Sequence, residues 1–340
     1  MLILGKTLNI GRLHCPVQHL PEELFFSLVD YRNNYFTSDD SDKIIEFYNG
    51  FENRDQLIQW MRDRPNGVAN VHEVEGDKEI IVVIPTADFN GKYAKECRDN
   101  IFKGLHIVFV ESGGREDFYF NIAHNVNVGI KKAMEYSPKW VVFSGDDMTK
   151  VDDVSKLNDG LQKIDNRNID IVFTSPSHYH SSPMSLCKPN LLFSIALRIL
   201  KIFNRRFSYI EKTYYQLKRF NKKLVFPRYE YNSNLTYKIV NFIFFKRIES
   251  FINTLSFGIF SSNFLGESDN NLFDDIYINE MEDTDLSIRI KHMHNNIAFI
   301  DFKVSEYIGA TLGSGGTRTL KVVPGWTYFA YKMEKGDLDK

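Results

Sequence analysis

This chain of 340 residues is poor in cysteine, with only Cys15, Cys97 and Cys187. They lie far apart, no pair has metal-ligand spacing, and an odd count builds no disulfide framework, so a reduced, cytoplasmic setting is expected. Net charge is almost absent too. Lys and Arg number 42 against 44 Asp and Glu, a formal charge of −2, so the chain as a whole offers nucleic acid no electrostatic footprint and no nucleic-acid partner is expected. No apolar run approaches the roughly 20 residues of a membrane-spanning helix. Met1-Leu2-Ile3-Leu4 before Gly5-Lys6 is too short for the apolar centre of a signal peptide. Repeats and low-complexity tracts are missing as well. Aromatic side chains are plentiful: 28 Phe and 17 Tyr suit a large core, a sugar-stacking surface or a membrane-facing patch without choosing among them.

The pattern along the chain changes several times. Residues 1–78 read as an N-terminal accessory module. Within it Phe51 to Arg64 has helical spacing, with Leu57, Ile58, Trp60 and Met61 near one face, and Pro65-Asn66-Gly67 ends it. From Glu79 the texture is that of an α/β fold. Ile80 to Pro85, His106 to Val110, Trp140 to Ser144 and Ile169 to Thr174 are short continuous apolar runs, the mark of buried parallel strands. Helical stretches, Lys92 to Lys103 and Phe118 to Tyr136, alternate with them, so a mostly parallel sheet flanked by helices is expected. Ligands of such sheets bind beyond the carboxyl ends of the strands, where Pro85-Thr86, Glu111-Ser112 and Asp146-Asp147 fall.

Two acidic groups carry chemistry. Asp146-Asp147 end an apolar strand, and adjacent buried carboxylates need compensation, which a divalent cation with oxygen ligands supplies. Taken alone, the pair fits a turn or a helix N-cap as readily. Glu282-Asp283 open a later helix and include a candidate proton acceptor for an attacking hydroxyl. Asp285 and Arg289, four apart on that helix, suit a structural ion pair. His292 and His294 lie on different faces, and His178 and His180 suit a loop.

In order and spacing these segments resemble the family 2 glycosyltransferases of GT-A fold. The likeness rests on the strand ending Pro85-Thr86, on Asn127-Val128-Gly129-Ile130 with Ala133, and on Phe143-Ser144-Gly145-Asp146-Asp147-Met148. Leu272-Phe273-Asp274-Asp275 ahead of Glu282-Asp283 completes it. It covers about 79–175 and 256–320. The resemblance implies nucleotide-sugar binding in 79–178, an acceptor side with the base in 256–320, and a C-terminal segment, 321–340. It implies Mn²⁺ or Mg²⁺ on Asp147 and Asp146, Pro85, Thr86, Glu111 and Ser112 around base and ribose, and Asn127 in the cofactor-binding signature. Asp283 would be the base, Glu282 its helper, and Arg318, in a Gly-rich loop, would offset charge on the departing phosphate. The expected reaction is inverting transfer from a UDP- or GDP-sugar to a glycan or lipid-linked acceptor. The chain departs from the family pattern at Gly145, where an acid is usual, and at Tyr307, where many members place a histidine ligand. A nucleotidyltransferase and a non-catalytic binding module are the rival classes.

Residues 179–255 are expected to form a basic, aromatic helical insertion. Leu191 to Phe203 is largely apolar, and thirteen Lys and Arg from Arg198 to Arg247 face only Glu211 and Glu230 between them. Two readings stay open. The span 191–247 is a surface for an anionic membrane, with the enzyme peripheral on the cytoplasmic face, or it is an ordinary subdomain with a solvated basic face.

Overall fold

The computed structural model describes residues 35–174, 182–187, 228–230, 242, 248–253, 257–293, 296–307 and 317–337. Among these, β2 (Asp77–Thr86), β3 (Leu105–Glu111) and β4 (Trp140–Ser144) form the parallel centre of the fold, as their unbroken apolar runs predict. The complete sheet has seven strands. It adds β1 (Asn70–Val74), β6 (Ile171–Thr174), β10 (Phe257–Ser261) and β11 (Ile297–Ile300), in the order β1-β3-β2-β4-β10-β6-β11. β1 and β10 run antiparallel to their neighbours, so the sheet is mixed.

Strand alternation splits the core between the two faces. Ile81 and Val83 of β2 point one way, with Val141 and Phe143 of β4. Against them pack α4 (Ile122–Met134), α7 (Glu282–His292) and α9 (Val323–Lys335). Ile80, Val82 and Ile84 point the other way, under α3 (Lys92–Glu96), a π turn at Cys97–Ile101, and α5 (Val154–Leu161). Gly129 sets how closely α4 lies on the sheet: a Cβ there would stand 2.4 Å from Val83 Cγ1.

Residues 35–74 share this core. α1 (Ser41–Asn49) and α2 (Arg54–Asp63) bring Tyr35, Phe47, Phe51 and Trp60 together as an aromatic cluster, and Tyr48 donates to the Leu320 carbonyl at 2.6 Å. Asn53 caps α2, and Leu57, Ile58, Trp60 and Met61 are buried as expected.

Most of 179–255, where a helical insertion is expected, lies outside the described residues. Apart from Phe242, its described parts are strands, β7 (Ser182–Cys187), β8 (Arg228–Glu230) and β9 (Ile248–Asn253), in a separate antiparallel sheet of order β8-β7-β9 that the sequence does not predict. Short apolar runs do not separate strand from helix by periodicity alone. β9 packs beside α7. Leu191 to Phe203, most of the basic run, His178, His180, His294 and the glycine loop 312–316 lie outside the described residues. Among the described residues no helix is long and apolar enough to cross a membrane.

Candidate active site at the carboxyl edge of the sheet

The hydrogen-bond register of β2 with β3 sets Pro85 opposite Val110 and Thr86 opposite Glu111, so these residues share one edge with the end of β4. There Thr86 Oγ1 donates to Asp146 Oδ2 at 2.7 Å. Burial pushes the Asp146 carboxyl above its usual range, and the Thr86 hydroxyl and Ala87 N–H pull it partly back. Asp147 is pushed up to about 7, first by burial, then by Glu306 and Asp146, with Arg318 pulling it down. Arg318 lies in α8 (Thr317–Lys321), near enough to act on Asp147 electrostatically.

The backbone of the acid pair is held from two sides. Cys97 Sγ donates to the Asp146 carbonyl at 3.3 Å, and Tyr307 N–H donates to the Asp147 carbonyl at 2.8 Å. The second bond continues a small ladder in which β12 (Val304–Glu306) pairs with β5 (Met148–Lys150), Glu306 opposite Met148. Glu306 is the residue that reading the sequence missed. It adjoins Tyr307, and only the pairing of β12 with β5 brings it to Asp147. The Tyr307 side chain is partly exposed near Tyr93 and Lys92.

Glu111 and Ser112 stand at this edge but serve the protein first. Glu111 Oε1 accepts from Phe89 N–H at 2.9 Å and Oε2 lies 2.9 Å from His72 Nε2. The Phe89 N–H, then His72, hold its carboxyl below the usual range against some burial. Phe89 is stacked on His72 with centroids 4.4 Å apart, and the Arg98 guanidinium lies 4.8 Å from its ring centroid. Glu111 therefore braces the segment after β2. Ser112, buried, donates its N–H to the Thr86 carbonyl at 3.0 Å and accepts from Gly114 N–H at 3.1 Å.

Asn127 is placed against expectation. Its buried amide donates to the Phe273 carbonyl at 2.8 Å and to Asp275 Oδ1, and it accepts from Leu272 and Phe273 N–H at 2.9 and 3.1 Å. Two donors and two acceptor sites exhaust an amide. Asn127 pins the segment that leads to α7 and has nothing left for a cofactor.

That segment explains where the candidate base sits. β10 descends antiparallel to β4, and the chain then climbs beside α4, where the Ile278 carbonyl accepts from Ile122 N–H at 2.9 Å. Ile122 begins the helix that follows β3, so 278 is back at the carboxyl edge. Glu280 and Met281 then turn the chain with φ of 76° and 78°. This left-handed conformation costs a residue with a Cβ about 1 kcal/mol or more. Gly325 of α9 makes room for the turn, since a Cβ there would stand 2.3 Å from the Glu280 carbonyl oxygen. Glu282 and Asp283 follow in the first turn of α7, a favourable place for carboxylates. Asp283 Oδ1 accepts from Thr284 N–H at 2.6 Å and from Thr284 Oγ1 at 3.2 Å, which fixes the carboxylate's direction.

Further along α7, Asp285 makes the expected ion pair with Arg289, Oδ2 to Nε 3.3 Å. Lys332 of α9 adds a second cation, 3.1 Å from Asp285 Oδ2 and 3.1 Å from Asp274 Oδ2. Among the described residues no group of three or more His, Cys, Asp or Glu side chains is arranged to hold a metal ion. Compared with known protein families, curated proteins and solved structures, the chain matches none of them.

Proposed function

We propose that this protein is a metal-dependent inverting glycosyltransferase of GT-A type, which moves a sugar from a UDP- or GDP-sugar to an acceptor hydroxyl on a glycan or lipid-linked glycan. One observation carries the reading. At the carboxyl edge of the sheet, Asp147 is pushed up to about 7, first by burial and then by the like charges of Glu306 and Asp146. Crowded like charges are unfavourable for the protein alone, and a cation relieves them. Oxygen donors suit Mg²⁺ or Mn²⁺, and Mg²⁺ is commonly held by one or two carboxylates together with substrate phosphates. Asp147 is then the main ligand, and Asp146, fixed by Thr86, stands beside it. When bound, the cation offsets negative charge on the departing diphosphate.

The protein's own residues supply the rest. Arg318 adds positive charge on the Asp147 side. Asp283, oriented by Thr284, takes the proton of the acceptor hydroxyl as that oxygen attacks the anomeric carbon opposite the leaving group. Glu282 orients the acceptor. A single displacement of this kind inverts the anomeric centre.

Calorimetric titration of UDP, GDP and their sugar conjugates, with and without Mn²⁺, tests the reading. Metal-dependent binding of one nucleotide is expected, at least about 100-fold weaker in Asp147→Ala, a loss near 2.7 kcal/mol. Absence of nucleotide binding under both conditions overturns it.

A further inference from the structure

A cavity of about 410 Å³ lies between the 271–275 segment, α7 and α9, lined by Asn271, Phe273, Asp274, Asp275, Arg289 and Lys332. It is not the carboxyl edge. Arg289 is seven residues beyond Glu282, about 10 Å down the helix axis, and Asn127, inside α4, holds Leu272 and Phe273 below the edge, while the Asp275 carbonyl accepts from the Asn121 amide at the start of α4, so the cavity reaches from beneath the edge up towards it. Its volume falls in the range of about 300–1,000 Å³ usual for small-molecule sites.

The lining limits what fits. Its two cations are already matched: Lys332 contacts Asp274 and Asp285 at 3.1 Å each, and Arg289 lies 3.3 Å from Asp285 and donates to the Leu272 carbonyl at 2.9 Å. A phosphate finds no unmatched cation and meets Asp274 and Asp275. An apolar molecule would strip water from charged groups and return no hydrogen bonds. A polyhydroxylated, uncharged ligand suits the mixture, because each hydroxyl both donates and accepts. Behind the lining, the fully buried Asp285 Oδ1 and Tyr277 hydroxyl have no hydrogen-bond partner among the described residues.

We propose that this cavity is a neutral-saccharide site, separate from the donor site, that holds part of a glycan while the reacting sugar is at the edge. The ligand class leans on the glycosyltransferase reading, whereas the position and lining stand without it. Asn271 is exposed at the cavity and takes no part in the Asp285–Lys332 contacts, so Asn271→Trp is the substitution chosen to obstruct it. The test uses the full-length protein and ligand-observed NMR titration with glucose, galactose, N-acetylglucosamine, lactose and maltose, with inorganic phosphate and glycine as contrasts. At least one neutral sugar is expected to bind and to weaken about tenfold or more in Asn271→Trp, with melting temperature and nucleotide affinity unchanged. Nucleotide binding without sugar binding overturns the site and leaves the transferase reading standing. Sugar binding that Asn271→Trp weakens, in a protein that binds no nucleotide, supports the site and removes that reading. Sugar binding unchanged in the variant, or preference for phosphate or glycine, overturns the site.

Discussion

Asp147 and Asp285 are both acids withdrawn from water, and they sit in opposite company. Asp285 is wholly buried but has Lys332 and Arg289 against it. Asp147 is only half-buried, and after burial the strongest influences on it are the like charges of Glu306 and Asp146, which Arg318 only partly opposes. The first group is neutralised from within, as structural charges are when buried. The second is left out of balance at a place that a ligand can reach. Depth of burial does not separate scaffold from site here; the sign of the neighbouring charge does.

Removing one partner from the balanced group should have the largest effect on stability. Lys332→Met leaves Asp285 with Arg289 alone and Asp274 without its ion pair, and chemical denaturation should show a loss of about 3 kcal/mol. The double variant Lys332→Met, Asp285→Leu should recover much of it. Asn127→Ala comes next. It leaves buried backbone groups of 272–273 without their partner, for a loss of about 2–3 kcal/mol by the same measurement. The unbalanced group should respond with the other sign. The Asp147 carboxyl titrates near 7 when folded and near 3.8 when unfolded, so the folded state holds the proton more tightly between those values. Its contribution to stability is best below pH 4 and falls as pH rises towards 7. Asp147→Asn should therefore be more stable than wild type at pH 8, by about 1–2 kcal/mol after discounting for solvent, and the gain should fade by pH 4. Thermal melts across that range check it, and a destabilised variant at pH 8 would break the contrast. The smallest effect belongs to His72→Ala at the partly exposed Glu111 pair, about 0.5 kcal/mol, measurable only as a shift in denaturation midpoint.

The sequence speaks most clearly where one residue type repeats. The centre of the sheet is legible because β2, β3 and β4 are buried on both faces and read as unbroken apolar runs. β10 is not, since Phe257-Gly258-Ile259-Phe260 says nothing of a partner as distant as Ser144. β1 is half-exposed at an edge, and Asn70-Val71-His72-Glu73-Val74 alternates too weakly to stand out. The acids Asp146, Asp147, Glu282 and Asp283 are legible as charges interrupting apolar patterns. Glu306 depends on strand pairing across the chain, and Asn127 on an amide whose partners lie far along it, so neither role can be read from spacing.

The antiparallel insertion of β10 also bears on when the protein becomes competent. As the chain leaves the ribosome, Asp146 and Asp147 are made early, on a strand whose far side stays open until Phe257 to Ser261 arrive and bond to it. Such long-range closure is slow. The acids and the candidate base cannot be assembled piecemeal, because the strand that completes the sheet also begins the segment that delivers Asp283. A chain interrupted before that point carries the charge cluster on an unfinished sheet, without the segment that leads to Asp283.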